Sequence, residues 1–97
     1  MASMKEQYPD LTGLLASYYG SCQGPVPRTD EQVVGEYCSG AAADDIRTTL
    51  DQLRAVLSLP STPYHQIEEL TGFGFDSEES CREWLDEIAG LLLRAMA

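Results

Sequence analysis

Basic residues are scarce in this sequence. Lysine and arginine together number 6 against 16 aspartates and glutamates, which gives a formal net charge of −10 over 97 residues. Nucleic acids and anionic membranes both repel an acidic surface, so this balance argues against either of them as a partner. It favours a basic partner, and it equally favours simple solubility. The charge therefore argues against nucleic acids and anionic membranes as partners, but it does not decide between a basic partner and simple solubility.

Residues and motifs that carry chemistry are also few. The single histidine, His65, cannot build a two-histidine metal site, and no nucleophile is evident to pair with it. The Glu-x-x-His pattern of di-iron bundles, the calcium-loop pattern and a glycine-rich phosphate loop are absent. Carboxylates are plentiful, but acid–base catalysis needs one in a desolvated pocket. The sequence therefore predicts a protein that is not an enzyme and has no metal or cofactor.

Paired cysteines and long apolar runs are missing as well. Cys22, Cys38 and Cys81 are odd in number and form no C-x-x-C pair, which predicts reduced thiols in a cytoplasmic protein. No apolar run approaches the roughly 20 residues that span a bilayer, and the opening MASMKEQYPD lacks the apolar segment of a secretory signal. Residues 1–7 are expected to be disordered. With 43% hydrophobic residues, the chain as a whole predicts one folded domain spanning residues 1–97.

Helical periodicity runs through most of the chain, and no strand pattern appears. The clearest helix carries Ile46, Leu50, Leu53 and Leu57, which recur at spacings of four, three and four, and Pro60 ends this run. Four further segments carry helix start and stop signals. The sequence therefore predicts an all-α fold, a compact bundle of about five helices.

Two of these helices lie before the clearest one. Pro9 fits the first position of the first helix, and Gly20 can end it. Residues 21–28 then read as a turn-rich loop with two prolines. Thr29 and Gln32 have the spacing of a capping box, which predicts the start of the second helix.

The last two helices follow Pro60. Thr62 is predicted to cap a short helix with Pro63 at its first position and Gly72 as its stop. Asp76 or Ser77 is predicted to cap the final helix.

Aromatic side chains are predicted to pack mainly in the core. Phe73 and Phe75 are expected to fold back into it, and Trp84 lies on the apolar stripe of the final helix. Tyr18 and Tyr19 point about 100° apart on a helix, so one should be buried while the other could reach an interface.

Acidic residues are concentrated toward the carboxyl end. Eight lie between Glu68 and Glu87, where Arg82 is the only base. Glu79, Glu83 and Glu87 are each four residues apart, so they repel along one helix face by about 0.2–0.5 kcal/mol per pair. Some acids also fit capping and helix-dipole roles. We predict a docking surface for a basic protein, with the candidate residues Glu68, Glu69, Asp76, Glu78, Glu79, Glu83, Asp44 and Asp45.

Three segments carry a family resemblance. They are YPDLTGLLASYYG near the start, DEQVVGEYCSGAAADDIRTTLDQLRAVLSL in the middle and CREWLDEIAGLL at the end. In this order and spacing, from Tyr8 to Leu93, they resemble the small helical immunity proteins of bacterial contact-dependent growth inhibition systems. Many relatives have a His-Gln-Asp-Trp-like segment after the first helix, where this chain has GSCQGPVPR. No individual residue role is therefore carried over.

The resemblance implies a cytoplasmic antitoxin. Such a protein binds the C-terminal toxin domain delivered by a neighbouring cell and neutralises it, here in an expected 1:1 complex. The toxin is often a nuclease such as an RNase, and nucleases are basic because they hold phosphates. Occlusion of its active site would place carboxylates where phosphates would sit. The alternative is an acidic helical adaptor or regulatory protein that docks another protein through apolar grooves.

Overall fold

Helices make up most of the chain that the structure describes. The computed structural model describes residues 4–19 and 29–96, and no strand occurs in these two ranges. The predicted all-α fold is confirmed. The α-helices of the described residues are α1 (Met4–Gln7), α2 (Pro9–Leu14), α3 (Asp30–Gly40), α4 (Ala43–Leu57), α5 (Tyr64–Thr71) and α6 (Glu78–Met96), and a π-helical turn (Leu15–Tyr19) continues α2.

The one-turn helix α1 was not expected from the sequence. Residues 4–7 lie in the segment that was expected to be disordered, yet they are helical and Met4 is buried in the core. The backbone N–H of Met4 donates to Gln66 Oε1 (3.2 Å), which ties α1 to α5. Residues 1–3 lie outside the described part of the chain.

Helix α2 begins at Pro9, as predicted, but its cap comes from another helix. The side chain of Gln52 in α4 accepts hydrogen bonds from the backbone N–H groups of Asp10 and Leu11, each at 3.0 Å. These two donors have no partner within their own helix. The amide of Gln52 thus fixes α2 against α4. The predicted stop at Gly20 and the predicted loop 21–28 lie outside the described residues.

The start of α3 follows the sequence prediction. Thr29 Oγ1 accepts from the backbone N–H of Gln32 (3.2 Å), and Gln32 Oε1 accepts from the backbone N–H of Thr29 (3.0 Å). The capping box is therefore confirmed. Val33 and Val34 are buried, so this helix turns its apolar side toward the core.

Helix α5 begins one residue later than predicted. Pro63 occupies the cap position rather than the first turn, and no side chain caps the helix, which begins at Tyr64. The predicted cap, Thr62, is instead buried, and its backbone N–H donates to the carboxylate of Glu78. The predicted stop is confirmed, because Gly72 has a φ of 77°, a left-handed conformation that glycine adopts without strain.

Two contacts fix the start of α6. Ser77 Oγ accepts from the backbone N–H of Ser80 (3.2 Å), so Ser77 rather than Asp76 caps the helix. Arg82 Nη2 donates to the carbonyl oxygen of Leu57 (2.9 Å), which lies at the last residue of α4. The carboxyl end of α4 therefore lies beside the first turns of α6.

The core lies between α4, α6 and the amino-terminal helices. Helix α4 packs against α6 and α2, and α3 packs against α6. The radius of gyration, 12.6 Å, matches the value of about 12.5 Å for a compact domain of this length.

Among the described helices, none is both long and apolar enough to cross a bilayer. The largest fully buried apolar side chains are Leu11, Leu14, Leu15, Leu53, Ile67, Leu85, Ile88, Leu92, Val33 and Val56.

Two buried threonines provide a matched test of the polar groups in this core. Thr49 Oγ1 lies 2.6 Å from the hydroxyl of Tyr37, whereas Thr12 Oγ1 is buried with no hydrogen-bond partner. A buried unpaired hydroxyl costs about 1–3 kcal/mol. Thr12→Val should therefore stabilise the fold by about 1 kcal/mol, and Thr49→Val should destabilise it by a similar amount. Urea unfolding measures both, and equal effects of the two substitutions would contradict the assignment.

Candidate protein-binding surface

The eight candidate acids differ in how far they are available to a partner. Six are exposed to solvent, and two are half-buried. Exposure therefore divides the candidates into two groups. The exposed ones are Glu69, Asp76, Glu79, Glu83, Asp44 and Asp45, and the half-buried ones are Glu68 and Glu78.

The two half-buried acids hold the chain segments around α5 and α6 together. Glu68 Oε2 accepts from the backbone N–H of Phe75 (2.8 Å), and its other oxygen lies 3.3 Å from Nδ1 of His65. Glu78 Oε1 accepts from the hydroxyl of Ser61 (2.9 Å) and from the backbone N–H of Thr62. Both carboxylates therefore have internal structural roles in addition to any contact with a partner.

A row of exposed acids follows one side of α6. We call Glu79, Glu83, Asp86 and Glu87 the α6 acidic face; all four are exposed. Asp86 and Glu87 were not among the site candidates, although their spacing of three and four residues from Glu83 places them beside it on a helix. The helical rise places Glu79, Glu83 and Glu87 at intervals of about 6 Å along the axis.

Arg82 and Arg94 line clefts with members of the α6 acidic face, but within the described residues neither lies within 4 Å of its carboxylates. Within the described residues, His65 and Glu68 form the only pair of a basic and an acidic side chain closer than 4 Å, with Nδ1 of His65 lying 3.3 Å from Oε1 of Glu68. Arg82 lies in a cleft of about 340 Å³ with Glu79 and Glu83, but its guanidinium donates to the end of α4. The carboxylates of the α6 acidic face therefore stay available to cations from outside.

Asp44 and Asp45 lie apart from the other candidates. They occupy the first turn of α4, whereas Arg82 and the start of α6 lie beside its last residue, Leu57. Twelve residues separate Asp45 from Leu57, which corresponds to about 18 Å along the helix. The two aspartates therefore lie at the end of α4 that is away from Arg82 and the start of α6.

Four aromatic rings form a cluster beside α6. We call Tyr19, Phe73, Phe75 and Trp84 the aromatic cluster. The ring of Phe73 meets the other three edge to face, at centroid distances of 5.5 Å to Tyr19, 6.4 Å to Phe75 and 5.4 Å to Trp84. Phe75 and Trp84 pack against the core, but Phe73 is 39% exposed, so the expectation that it folds into the core is wrong.

The carboxylate of Asp30 joins this cluster to α3. Its Oδ1 accepts from the hydroxyl of Tyr19 (3.0 Å), and its Oδ2 accepts from Nε1 of Trp84 (3.1 Å). Asp30 is half-buried, so the bonds to these aromatic groups lie at the edge of the core. The sequence prediction did not include this residue, because its two partners lie 11 and 54 positions away.

A second surface feature is a groove between the amino-terminal helices and α5. It has a volume of about 620 Å³ and is lined mainly by apolar groups. Its walls include the small residues Gly13 and Ala16, and Lys5 and Glu69 also line it. Its lining residues are Met4, Lys5, Pro9, Thr12, Gly13, Ala16, Ser17, Gln66, Glu69 and Leu70.

The described cysteines are poor nucleophiles. Burial, together with the nearby carboxylates of Glu68 and Glu78, raises the pKa of the Cys81 thiol to about 11. Burial also raises the pKa of Cys38. A thiol with a raised pKa stays protonated at neutral pH, and the thiolate is the reactive form. The remaining cysteine, Cys22, lies outside the described residues.

Metal binding has no evident site in the part of the chain that the structure describes. Within residues 4–19 and 29–96, no group of three or more histidines, cysteines, aspartates or glutamates is arranged to hold a metal ion.

Comparison with protein families, with curated proteins and with solved structures finds no match to this chain. Function is therefore inferred from the residues of this chain alone.

Proposed function

We propose that this chain is an immunity protein that binds and neutralises a basic toxin domain, as in contact-dependent growth inhibition. In this proposal it is not an enzyme, and it acts in a 1:1 complex by covering the toxin's active site. The sequence resemblance described above suggests the class of partner. The observation that supports binding to a basic protein is the α6 acidic face.

The α6 acidic face has the charge pattern that a nucleic-acid-binding cleft attracts. Glu79, Glu83 and Glu87 form a line of negative charge at intervals of about 6 Å. A nuclease cleft presents cations to a regular line of phosphates, so such a cleft would attract these carboxylates as well. Complementary charge of this kind raises the association rate and makes it sensitive to salt. A toxin of the nuclease class therefore fits this surface.

The carboxylates repel one another in the free protein. Neighbouring acids at this spacing destabilise a helix by about 0.2–0.5 kcal/mol per pair. Cations from a partner would remove that repulsion in the complex. A surface that costs stability when free and gains it when bound fits a binding role better than a role in folding.

Co-expression with a toxin tests the proposal. The probe is the C-terminal domain of a large exported protein, if one is encoded immediately upstream of this chain's gene. We expect that domain to stop growth when expressed alone, and co-expression of this chain to restore growth. The purified pair should co-elute as a 1:1 complex that forms more slowly as salt rises, because salt screens the attraction. Absence of such a gene, or toxicity that this chain does not relieve, would contradict the proposal.

A second candidate function is an adaptor that docks a protein through apolar contacts. The groove of about 620 Å³ beside α5 favours it, because an apolar lining of this size suits a side chain or a short helix of a partner. Binding at this groove would be insensitive to salt. Gly13→Leu would occupy part of the groove, since a Cβ at Gly13 meets no atom within 4 Å other than those of its chain neighbours and its own helix backbone. None of the residues that line the groove lies in α6. Loss of binding to the protein partner in this variant would favour the adaptor function.

A further inference from the structure

The aromatic cluster combines an exposed ring with two carboxylates. Phe73 is the most exposed large aromatic residue described, at 39%, and it lies at the centre of three edge-to-face contacts. Asp30 and Glu68 each accept a hydrogen bond from a member of the cluster, and each is only half-buried. Aromatic surface and negative charge therefore meet at one place on the molecule.

The loop that carries Phe73 is held in place before any partner arrives. Its backbone N–H donates to Thr71 Oγ1 (3.1 Å), and the backbone N–H of Phe75 donates to Glu68 (2.8 Å). Gly72, in its left-handed conformation, sets the turn between α5 and this loop. A side chain that is already ordered loses little conformational entropy on binding, which is a property of residues that dominate interfaces.

We propose that the aromatic cluster is the docking point for an arginine side chain of the basic partner. This inference rests on the proposed function, because it names how that same acidic region recognises a cationic protein. The faces of aromatic rings are negative and attract a guanidinium, which also stacks on them as a planar group. Each oxygen of the Asp30 carboxylate has a second lone pair beyond the bonds to Tyr19 and Trp84. A guanidinium against the exposed part of Phe73 therefore meets aromatic surface, and the Asp30 carboxylate lies at the same cluster through Tyr19 and Trp84.

Lysine fits this docking point less well than arginine. Its ammonium group is compact and strongly hydrated, and it cannot stack as a planar group on a ring. The cluster therefore predicts a preference for arginine at equal partner charge. The α6 acidic face, by contrast, has no aromatic ring and can favour arginine only through its carboxylates.

Two peptides of equal charge test this inference. The probes are octa-arginine and octa-lysine, titrated into the full chain at an ionic strength of about 0.01 M, where the Debye length is about 30 Å. Trp84 is the only tryptophan, so its fluorescence reports on the cluster directly. We expect octa-arginine to bind about three- to tenfold more tightly than octa-lysine and to change the Trp84 emission more strongly.

Substitutions at Phe73 separate the ring from the carboxylates. Bidentate pairing with carboxylates also favours arginine, so a preference alone is not sufficient. Phe73→Leu keeps an apolar side chain but removes the ring, and it should reduce the preference to the part that comes from the carboxylates. Phe73→Tyr keeps the ring and should retain it. Far-ultraviolet circular dichroism confirms that both variants are folded.

Each outcome of this experiment decides one point. A preference that is unchanged in Phe73→Leu, or equal binding of the two peptides, overturns the arginine docking point and leaves the proposed function standing. Failure of both peptides to bind the unaltered chain overturns the electrostatic basis of the proposed function as well. A preference that is reduced in Phe73→Leu and kept in Phe73→Tyr supports the docking point.

Discussion

Replacing Glu83 with lysine is expected to stabilise the free protein and to slow its association with a basic partner. Glu83 lies at the middle of the α6 acidic face, four residues after Glu79 and four before Glu87. Glu83→Lys turns two repulsive pairs into two attractive ones, which should stabilise the fold by about 1 kcal/mol. For a domain of this size, that corresponds to a rise in Tm of about 4–8 °C.

The same substitution removes negative charge from the proposed binding surface. The net charge changes from −10 to about −8, and a cation now lies where the partner's cations would approach. We expect the association rate with a basic toxin domain to fall about tenfold at low salt and to depend less on salt. Stopped-flow measurement of association, together with thermal unfolding, checks both expectations on one variant.

A substitution elsewhere provides the control for net charge. Asp51 is exposed on α4, four residues after Arg47 and three before Arg54. Asp51→Lys makes the same change in net charge but should destabilise the helix, because it places three cations close together. If Asp51→Lys slows association as strongly as Glu83→Lys, the overall charge governs binding rather than the α6 acidic face. If Glu83→Lys leaves the rate unchanged, that face does not meet the partner.

Replacing Leu85 with alanine is expected to give the largest loss of stability. Leu85 is fully buried in α6, the helix that packs against both α3 and α4. Truncation of a buried leucine removes its transfer energy and leaves a cavity, at a cost of about 2–5 kcal/mol. A small domain has a total stability of about 5–15 kcal/mol, so this single change could remove a large part of it.

Leu93 offers a matched control in the same helix. It is 46% exposed, so Leu93→Ala should change the free energy of unfolding by less than about 0.5 kcal/mol. Urea denaturation of both variants measures the difference in their free energies of unfolding, evaluated with the same dependence on urea concentration for both. Similar losses for Leu85→Ala and Leu93→Ala would show that the burial assigned to α6 is wrong.

Local sequence signals predicted several features of this fold. The capping box of Thr29 and Gln32 and the left-handed stop at Gly72 involve residues no more than a few positions apart, so their geometry follows from the local chain. The apolar stripe of α4 is also a local property, because helical periodicity alone places Ile46 and Leu53 on one side. The all-α class follows from such signals taken together.

Features that depend on distant residues were missed or assigned incorrectly. Gln52 caps α2 across more than 40 positions, and nothing in the spacing of the two segments indicates that contact. Thr62 was assigned as a side-chain cap, but its backbone is held by Glu78 from the start of α6. Phe73 was placed in the core by its apolar character, yet a loop ring can be exposed when its neighbours fill the space behind it.

The sequence by itself determined the helical class, the excess of negative charge and the regular spacing of acids along α6, since each of these depends only on composition and on intervals of three or four residues. Only the tertiary structure decided which carboxylates are available. It engages Glu68 and Glu78 in internal hydrogen bonds and keeps Asp44 and Asp45 at the end of α4 that is away from the start of α6. It also joins Asp30 to an aromatic cluster assembled from three separate segments. The reason is physical: burial and hydrogen bonding between distant segments depend on how the helices pack, and local spacing carries no record of that packing.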